Sequence, residues 1–538
     1  MREPEESTSA ASTAVVEESV HENLFSSRDL AQMAALGISQ DEAARQIELF
    51  RNPAPYTRVI RPCTPGDGIR TLSETDEPLL ELFAETAHQG KVGRFVPASG
   101  AATRMFKELL AYLNGEGKEP SQEVRAFFDN LPRLAFHEAL REALAQDGLD
   151  LDDRVRRGDF RTVLSYLLTD QGLGYADLPK GLLLFHRYPE GPRTPFEEHM
   201  VEAAETLRDE AGVCRLHFTV PPDHEEAFRE LLETARPWLE ARYGVLFDVT
   251  FSHQRHSTDT LAVDPENRPF RLEDGALLFR PGGHGALLEN LRSLGEDGWD
   301  LVQLKNIDNV VRDDRKPLVN RWKMLLGGLL VSLREQAFRL LEELEEGEGV
   351  DEAARFLDGE LSRPLPDDFP QWSPAEQRRF LIEALDRPLR VCGVVRNQGE
   401  PGGGPFWVES PEGGVSLQIV ETSQIDPKSP EQQAALRGST HFSPVDIICA
   451  LRDRTGKPYD LRRFVDPATV FIASKSHEGR PLKALERPGL WNGAMAGWNT
   501  VFVAVPVETF APVKTVLDLL RPEHQEPGAG PASGSFPA

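Results

Sequence analysis

Short apolar runs of four to seven residues alternate with stretches of helical periodicity, and this alternation restricts the fold more than any other feature. The runs Arg94-Phe-Val-Pro97, Leu182-Leu-Leu-Phe185, Cys214-Arg-Leu-His-Phe-Thr-Val220, Val245-Leu-Phe-Asp-Val-Thr-Phe251 and Asp300-Leu-Val-Gln-Leu304 read as strands. Residues 103–113, 196–207, 225–239 and 286–294 place apolar side chains one helical turn apart. Strand followed by helix followed by strand is the pattern of crossover connections, so an α/β layered fold with a mixed, mostly parallel sheet is expected. From residue 390 the pattern turns to strands with Gly- and Pro-rich turns: Val391–Val395, Phe406–Val408, Val415–Val420, Val470–Ala473 and Val501–Val505.

This divides the chain into an α/β core over 23–315, interrupted by a helical insertion at about 107–175, and an acidic helical stretch over 316–389, read as an insertion or lid. A C-terminal α/β portion over 390–521 is expected to complete the same cleft. Residues 1–22, rich in Ser, Thr, Ala and Glu, and residues 522–538, rich in Pro, Gly and Ser, are expected to be disordered tails. Ser27 is expected to cap the first helix, which ends near Gly37.

With 538 residues, two or three structural units are expected. Lys and Arg number 60 against 87 Asp and Glu, a net charge of −27, which disfavours nucleic acid and anionic membrane as partners. Cys63, Cys214, Cys392 and Cys449 are far apart without metal-ligand spacing, and read as small buried apolar residues. The N-terminal stretch lacks a basic region followed by an apolar run, and Met324–Leu333 is too short to span a bilayer. A cytoplasmic location is the expectation.

Five loop-like signatures carry chemistry. Val96-Pro-Ala-Ser-Gly-Ala-Ala-Thr-Arg-Met105 reads as strand, small-residue loop, then helix, an arrangement whose amides can face phosphate. Leu178-Pro-Lys-Gly181 and Pro512-Val-Lys-Thr515 supply ammonium groups, and Pro281-Gly-Gly-His-Gly285 supplies a glycine turn with a histidine. Lys305-Asn-Ile-Asp-Asn309 follows a buried-type strand and delivers Asp308 to its carboxyl end, where open α/β sheets bind ligands. A carboxylate there can hold Mg²⁺ bridging phosphates. Each has a plain structural alternative: a βα turn, a surface lysine, a Gly-rich turn, an Asx-rich strand end.

Ser99-Gly-Ala-Ala-Thr-Arg-Met105 resembles the Gly-Gly-x-Gly-Thr-Arg-Met loop of sugar-nucleotide pyrophosphorylases, with Ser99 and Ala102 in place of glycines. The chain is also identified as a member of a bacterial family of unknown function that carries the same Phe-Val-Pro-Ala-Ser-Gly-Ala block. The pyrophosphorylase resemblance implies a Rossmann-like, GT-A-type nucleotidyltransferase fold and assigns Ser99, Gly100, Ala101, Ala102 and Thr103 to nucleotide binding. It extends to Lys180, to Gln254 at the end of Val249-Thr-Phe-Ser-His-Gln254, and to Gly282, Gly283 and His284 in the glycine turn. Asn306-Ile-Asp-Asn309 is similar to the metal site of UDP-sugar pyrophosphorylases, which implies Mg²⁺ on Asp308 and sugar near Asn306. Ile419-Val-Glu-Thr-Ser-Gln-Ile425 is similar to a segment whose glutamate contacts sugar, nominating Glu421. Phe510-Ala-Pro-Val-Lys-Thr-Val-Leu-Asp-Leu-Leu520 resembles a run whose lysine faces the transferring phosphate, nominating Lys514; its periodicity also suits an ordinary capped helix.

The resemblance thus implies Mg²⁺-dependent transfer between a nucleoside triphosphate, UTP in the first instance, and a sugar 1-phosphate. Arg104, Lys180 and Lys514 would be the catalytic cations. A non-catalytic nucleotide or sugar-nucleotide binding protein, a GT-A glycosyltransferase and a kinase-like enzyme are the alternatives. Leu490-Trp-Asn-Gly-Ala-Met-Ala-Gly-Trp-Asn499 suits sugar recognition and structural turns equally. The enzymatic reading requires that folding gather Arg104, Lys180, Asp308 and Lys514 around one hollow.

Overall fold

Eight strands of one large sheet position everything else: β1 (Gly68–Thr71), β2 (Val92–Pro97), β3 (Val213–Thr219), β4 (Leu246–Ser252), β5 (Leu301–Leu304), β6 (Leu389–Arg396), β7 (Ile447–Ala450) and β8 (Asn499–Ala504). The computed structural model describes residues 24–115, 119–399, 402–410, 413–443 and 445–528. The strands lie in the order β1-β8-β6-β7-β5-β2-β3-β4, and the two-residue strands Thr64–Pro65 and His441–Phe442 complete a ten-stranded sheet. Only β7 among the eight runs antiparallel to its neighbours. The carboxyl ends of β2, β3, β4, β5, β6 and β8 therefore share one edge.

The sheet is mixed and mostly parallel, as the alternation of runs and helices implies. The C-terminal strands do more than complete a cleft: β6, β7 and β8 enter the middle of the sheet beside β5. Strand β5 is buried at all four positions, Leu301, Val302, Gln303 and Leu304, which is why it reads as a continuous rather than alternating apolar run.

Four helices cover the sheet or extend its core: α1 (Glu77–His88), α2 (Pro195–Thr206), α3 (Glu225–Tyr243) and α4 (Lys316–Glu346). Phe83 of α1, Phe196 of α2, Phe228 of α3 and Leu325 of α4 share one core with Val96, Phe218, Leu301 and Val391. The reading of 316–389 as a lid does not survive for α4, which buries Trp322, Leu326, Leu330, Leu333 and Leu340. Its apolar residues cover more than one face, so it lies between other elements rather than over a cleft. Closeness is set by Gly328, where an added Cβ would stand 1.9 Å from the carbonyl oxygen of Leu79 in α1.

The described residues between 107 and 168 form five short α-helices with a separate core around Phe106, Phe127, Phe136, Leu164 and Tyr175. Val310, Val513, Val516 and Leu520 join that core, so the helical layer rests directly against two of the expected site loops. The run Leu182–Phe185 is not a strand. A 3₁₀ turn occupies Lys180–Leu182, and Leu183 and Phe185 point their apolar bulk into the helical layer instead. The first helix is capped by Ser26, one residue before the expected Ser27, in a capping box with Asp29.

The expected tail 1–22 lies outside the described residues, and the tail 522–538 is described as far as Gly528. Within the latter, His524 is buried and hydrogen-bonded to His186, so the expectation of a loose tail fails at that residue. The four cysteines are all buried and unbridged. No helix among the described residues is long and apolar enough to cross a membrane.

Candidate active site

Strand β5 ends at Leu304 and hands the chain to Lys305, Asn306, Ile307 and Asp308 at the carboxyl edge of the sheet. The Asp308 side chain is 8% exposed, and its Oδ2 accepts hydrogen bonds from Lys180 Nζ at 2.8 Å and Lys514 Nζ at 3.2 Å. Oδ1 accepts none among the described residues. Burial alone would push this carboxyl up. Lys180 and Lys514 outweigh that effect and hold it below the ordinary carboxylate value.

Backbone pairing explains why two lysines so distant in the chain reach one carboxylate. Val513 N donates to the Asp308 carbonyl at 3.1 Å, and Lys180 Nζ donates also to the Val513 carbonyl at 2.6 Å. Asn309 Oδ1 accepts from Ala511 N at 2.9 Å, so the strap 511–514 is stitched to the end of β5 on both sides of Pro512. The small-residue loop joins the same group. Lys180 N donates to the Gly100 carbonyl at 3.2 Å, Ala102 N to the Leu178 carbonyl at 3.1 Å, and Val516 N to the Met105 carbonyl at 3.1 Å.

Three of the four residues expected around one hollow are therefore in direct contact, and the fourth, Arg104, belongs to a loop bonded to both lysine-bearing segments. Arg104 is exposed, and its guanidinium makes no hydrogen bond or ion pair among the described residues. The loop differs from expectation in one respect. No α-helix opens at Thr103: a single 3₁₀ turn spans Ala102–Arg104, and the α-helix begins at Lys107. Thr103 Oγ1 donates to the Ala176 carbonyl rather than capping. Ser99, Gly100 and Ala101 are exposed, Ala102 is buried in the helical layer, and an added Cβ at Gly100 would meet nothing within 4 Å. What the loop offers an anion is main-chain donors. The N–H groups of Gly100, Ala101 and Thr103 have no acceptor among the described residues.

Beneath Asp308 lies a buried polar layer that no local sequence pattern announced. His199 of α2 is fully buried, and its Nε2–H donates to the Ile307 carbonyl at 3.3 Å, steadying the peptide that carries Asp308. One helical turn on, Glu202 faces Arg94 Nη1 at 2.9 Å, Lys305 Nζ at 3.4 Å and the ammonium of Lys323. Burial works against the Glu202 charge, and Lys305, Lys323 and Arg94 together hold its carboxyl well below the usual range. Burial also keeps His199 neutral, well below the ordinary histidine value.

The remaining expected residues form two further groups on the carboxyl edge. Gln254 follows β4, and its Nε2 is buried without a partner among the described residues. Beside it Asn290 Nδ2 donates to Ser252 Oγ at 2.8 Å and to the His253 carbonyl at 2.9 Å, while Asn290 Oδ1 has no donor among them. His284 forms the second group. Its ring stacks on Trp491 with centroids 4.3 Å apart, its Nδ1 accepts from Leu490 N at 3.1 Å, and its Nε2 lies 3.6 Å from Glu421 Oε1. Asn492 Oδ1, adjacent in sequence to Trp491, is buried without a donor among the described residues.

The glycine turn serves packing here. A Cβ at Gly285 would stand 2.1 Å from the Pro488 carbonyl oxygen and one at Gly282 2.6 Å from that of Thr258, while Gly283 holds φ at 75°. Asn306 is half-buried, two residues before Asp308, and its carbonyl accepts from Asn309 N at 3.1 Å. Three pairings lie between the groups: Asn309 Nδ2 donates to the Val445 carbonyl, Ser443 N donates to the Gly403 carbonyl, and Gly403 pairs with Glu421. Trp491 could have been nominated from its polar-aromatic stretch. His199 and Asn290, set inside ordinary amphipathic helices, gave no such signal.

A family model described as a domain of unknown function (DUF4301) matches residues 26–525. No curated protein matches the sequence. Among solved structures, the UDP-N-acetylglucosamine pyrophosphorylase of Trypanosoma brucei in complex with inhibitor is similar at 12% identity and a TM-score of 0.46, over 96% of this chain and 85% of that one. A mutant UDP-glucose pyrophosphorylase of Leishmania major in complex with UDP-glucose is similar at 14% identity and a TM-score of 0.43, over 96% and 79%. A putative UDP-N-acetylglucosamine pyrophosphorylase of Entamoeba histolytica is similar at 12% identity and a TM-score of 0.41, over 84% and 83%.

Proposed function

The chain belongs to the DUF4301 family, and from that premise we propose that it is a nucleotidyltransferase joining a nucleoside triphosphate, UTP in the first instance, to a sugar 1-phosphate or similar phosphorylated substrate with release of pyrophosphate. One observation carries the reading: Lys180 and Lys514 meet on Asp308 beside a loop with unused main-chain donors, at the carboxyl edge of a mostly parallel sheet. Transfer of a phosphoryl-type group needs little covalent help from the protein, so positioning and charge neutralisation are what such a site must supply.

The roles follow from the exposures and contacts. The N–H groups of Gly100, Ala101 and Thr103, with Arg104, bind the triphosphate, and Lys514 turns to the phosphate under attack. Lys180 holds the strap and the end of β5 together while adding positive charge. Gln254 reads the base, His284 lies beside the nucleotide, and Asn306 and Glu421 orient the sugar.

Mg²⁺ fits the donor set in a limited way. No group of three or more His, Cys, Asp or Glu side chains suited to a metal occurs among the described residues. Mg²⁺ commonly keeps several waters and takes one or two carboxylates together with substrate phosphates, and Asp308 with its open Oδ1 meets that requirement. When bound, the ion supplies neutralisation of phosphate charge. The single carboxylate also favours a second reading, a nucleotide or sugar-nucleotide binding protein without turnover.

A pyrophosphate-exchange assay over UTP, other nucleoside triphosphates and a panel of sugar 1-phosphates separates the two. Exchange is expected with at least one pair, and Asp308→Asn is expected to reduce it by about 10²-fold or more while circular dichroism below its melting transition still reports the native fold. Binding of UTP without exchange selects the second reading, and unchanged turnover in Asp308→Asn removes the metal assignment.

A further inference from the structure

Among the described residues, Asp308 is the only carboxylate in contact with the ammonium groups of Lys180 and Lys514, and both engage one of its oxygens, at 2.8 and 3.2 Å. The two lysines are held very differently. Lys180 is 11% exposed and also donates to the Val513 carbonyl, so its departure would strand a buried carboxylate and a buried carbonyl. Lys514 is 60% exposed, and Asp308 is the sole partner of its ammonium among the described residues. A pair with one such exposed partner is weak and screened by salt, so Lys514 can leave while Lys180 stays.

Charge makes the order of events matter. Two ammonium ions against one carboxylate leave the group one positive charge in excess. A bare dication approaching Asp308 meets that excess in a poorly solvated setting, whereas a polyphosphate brings the opposite sign. A landing place for such an anion adjoins the lysines. Gly100, Ala101 and Thr103 offer N–H groups without acceptors among the described residues, Arg104 adds an exposed guanidinium, and their loop is bonded to Lys180 N and Val516 N.

We propose that Lys514 is a latch on Asp308. Its ammonium keeps the carboxylate closed to a divalent ion until a phosphate-class anion on the adjoining loop draws Lys514 away, so the anion enters first or together with the metal, and the metal never alone. This deepens the reading of Asp308 as a metal ligand and rests on it. It makes Lys514 serve twice, first as a guard of the carboxylate and then as a phosphate cation, while Lys180 remains a fixed strut.

Two titrations without turnover test the latch. Mn²⁺ alone is followed by electron paramagnetic resonance, and inorganic pyrophosphate in EDTA by calorimetry, on the full chain, on Lys514→Met and on the double variant Asp308→Asn/Lys514→Met. The unaltered protein is expected to bind pyrophosphate without metal and Mn²⁺ only weakly. Lys514→Met is expected to bind Mn²⁺ about ten-fold more tightly and pyrophosphate about ten-fold more weakly, and the double variant to lose the Mn²⁺ gain. Equal Mn²⁺ affinity with and without Lys514, or a gain that survives in the double variant, overturns the latch. The exchange assay is read independently: no exchange with a positive Mn²⁺ result refutes the transferase and leaves the latch, and exchange with a flat Mn²⁺ result does the reverse.

Discussion

Lys180 and Lys514 make the same contact with Asp308 yet carry unequal structural duties. Lys180 is nearly enclosed, and replacing it by Met leaves a buried carbonyl without its donor and the carboxylate with one cation. Breaking a buried pair costs about 3–5 kcal/mol, so Lys180→Met is expected to lower stability to urea by about 3 kcal/mol. Lys514→Met, at an exposed position, is expected to change it by less than about 1 kcal/mol. Equal losses would show that burial does not distinguish them. The depressed Asp308 carboxyl carries a pH signature as well. Its contribution is present above the ordinary carboxylate range and is lost as pH falls through the lowered folded value, so Asp308→Asn is expected to flatten the acid limb of the stability profile. Asp308 itself was legible in the sequence, because a strand end followed by an Asn- and Asp-rich turn is a local pattern. The Val513 carbonyl on Lys180 was not, because main-chain acceptors have no sequence signature.

At the scale of elements, glycines separate what packing requires from what a ligand would require. Gly328 of α4 lies against the Leu79 carbonyl, where a methyl group would overlap it at 1.9 Å. Gly328→Ala is expected to cost about 3 kcal/mol or to force α1 and α4 apart, readable as a lower melting temperature with loss of the near-ultraviolet dichroism of the core. Gly100→Ala, with nothing within 4 Å, is expected to leave stability within about 0.5 kcal/mol and to act on anion binding alone. The run Leu182–Phe185 shows the limit of reading elements from hydrophobicity: four apolar residues serve a strand and a packed loop equally well, and the neighbouring helical layer settled the matter. Likewise α4 looked like an appended lid because its charged residues are many, yet its buried stripe faces β6, β7 and α1.

For the whole molecule, three buried histidines tie distant parts together. His186 joins Glu198 at 2.8 Å and His524 at 2.8 Å, and His199 braces the Ile307 carbonyl. Burial holds all three below the ordinary histidine value of 6.5. As pH falls through 6.5 the unfolded chain takes up protons that the folded chain refuses, so stability is full above that pH and declines below it. Melting temperatures across pH 5–8 are expected to fall on the acid side, and His524→Asn to weaken that fall. A flat profile would mean that these sites admit protons in the folded state. The same ties anchor the C-terminal segment that follows the Lys514 strap, so this end of the chain is part of the site's support.

Strand runs, helical periods and loop chemistry are properties of consecutive residues, and from them the α/β class, most of the parallel strands and the strand-end position of Asp308 could be read directly, whereas Lys180 and Lys514 were nominated through the resemblance to sugar-nucleotide pyrophosphorylases. Pairing across long stretches of chain could not. Lys180 and Asp308 are 128 positions apart, Asp308 and Lys514 206, and His284 and Leu490 206, and their meetings depend on β6, β7 and β8 entering the centre of a sheet begun by N-terminal strands. Hydrogen-bond ladders and side-chain volumes select that arrangement only when all the elements compete for the same core, so the closeness of the two lysines on one carboxylate was decided by tertiary structure alone.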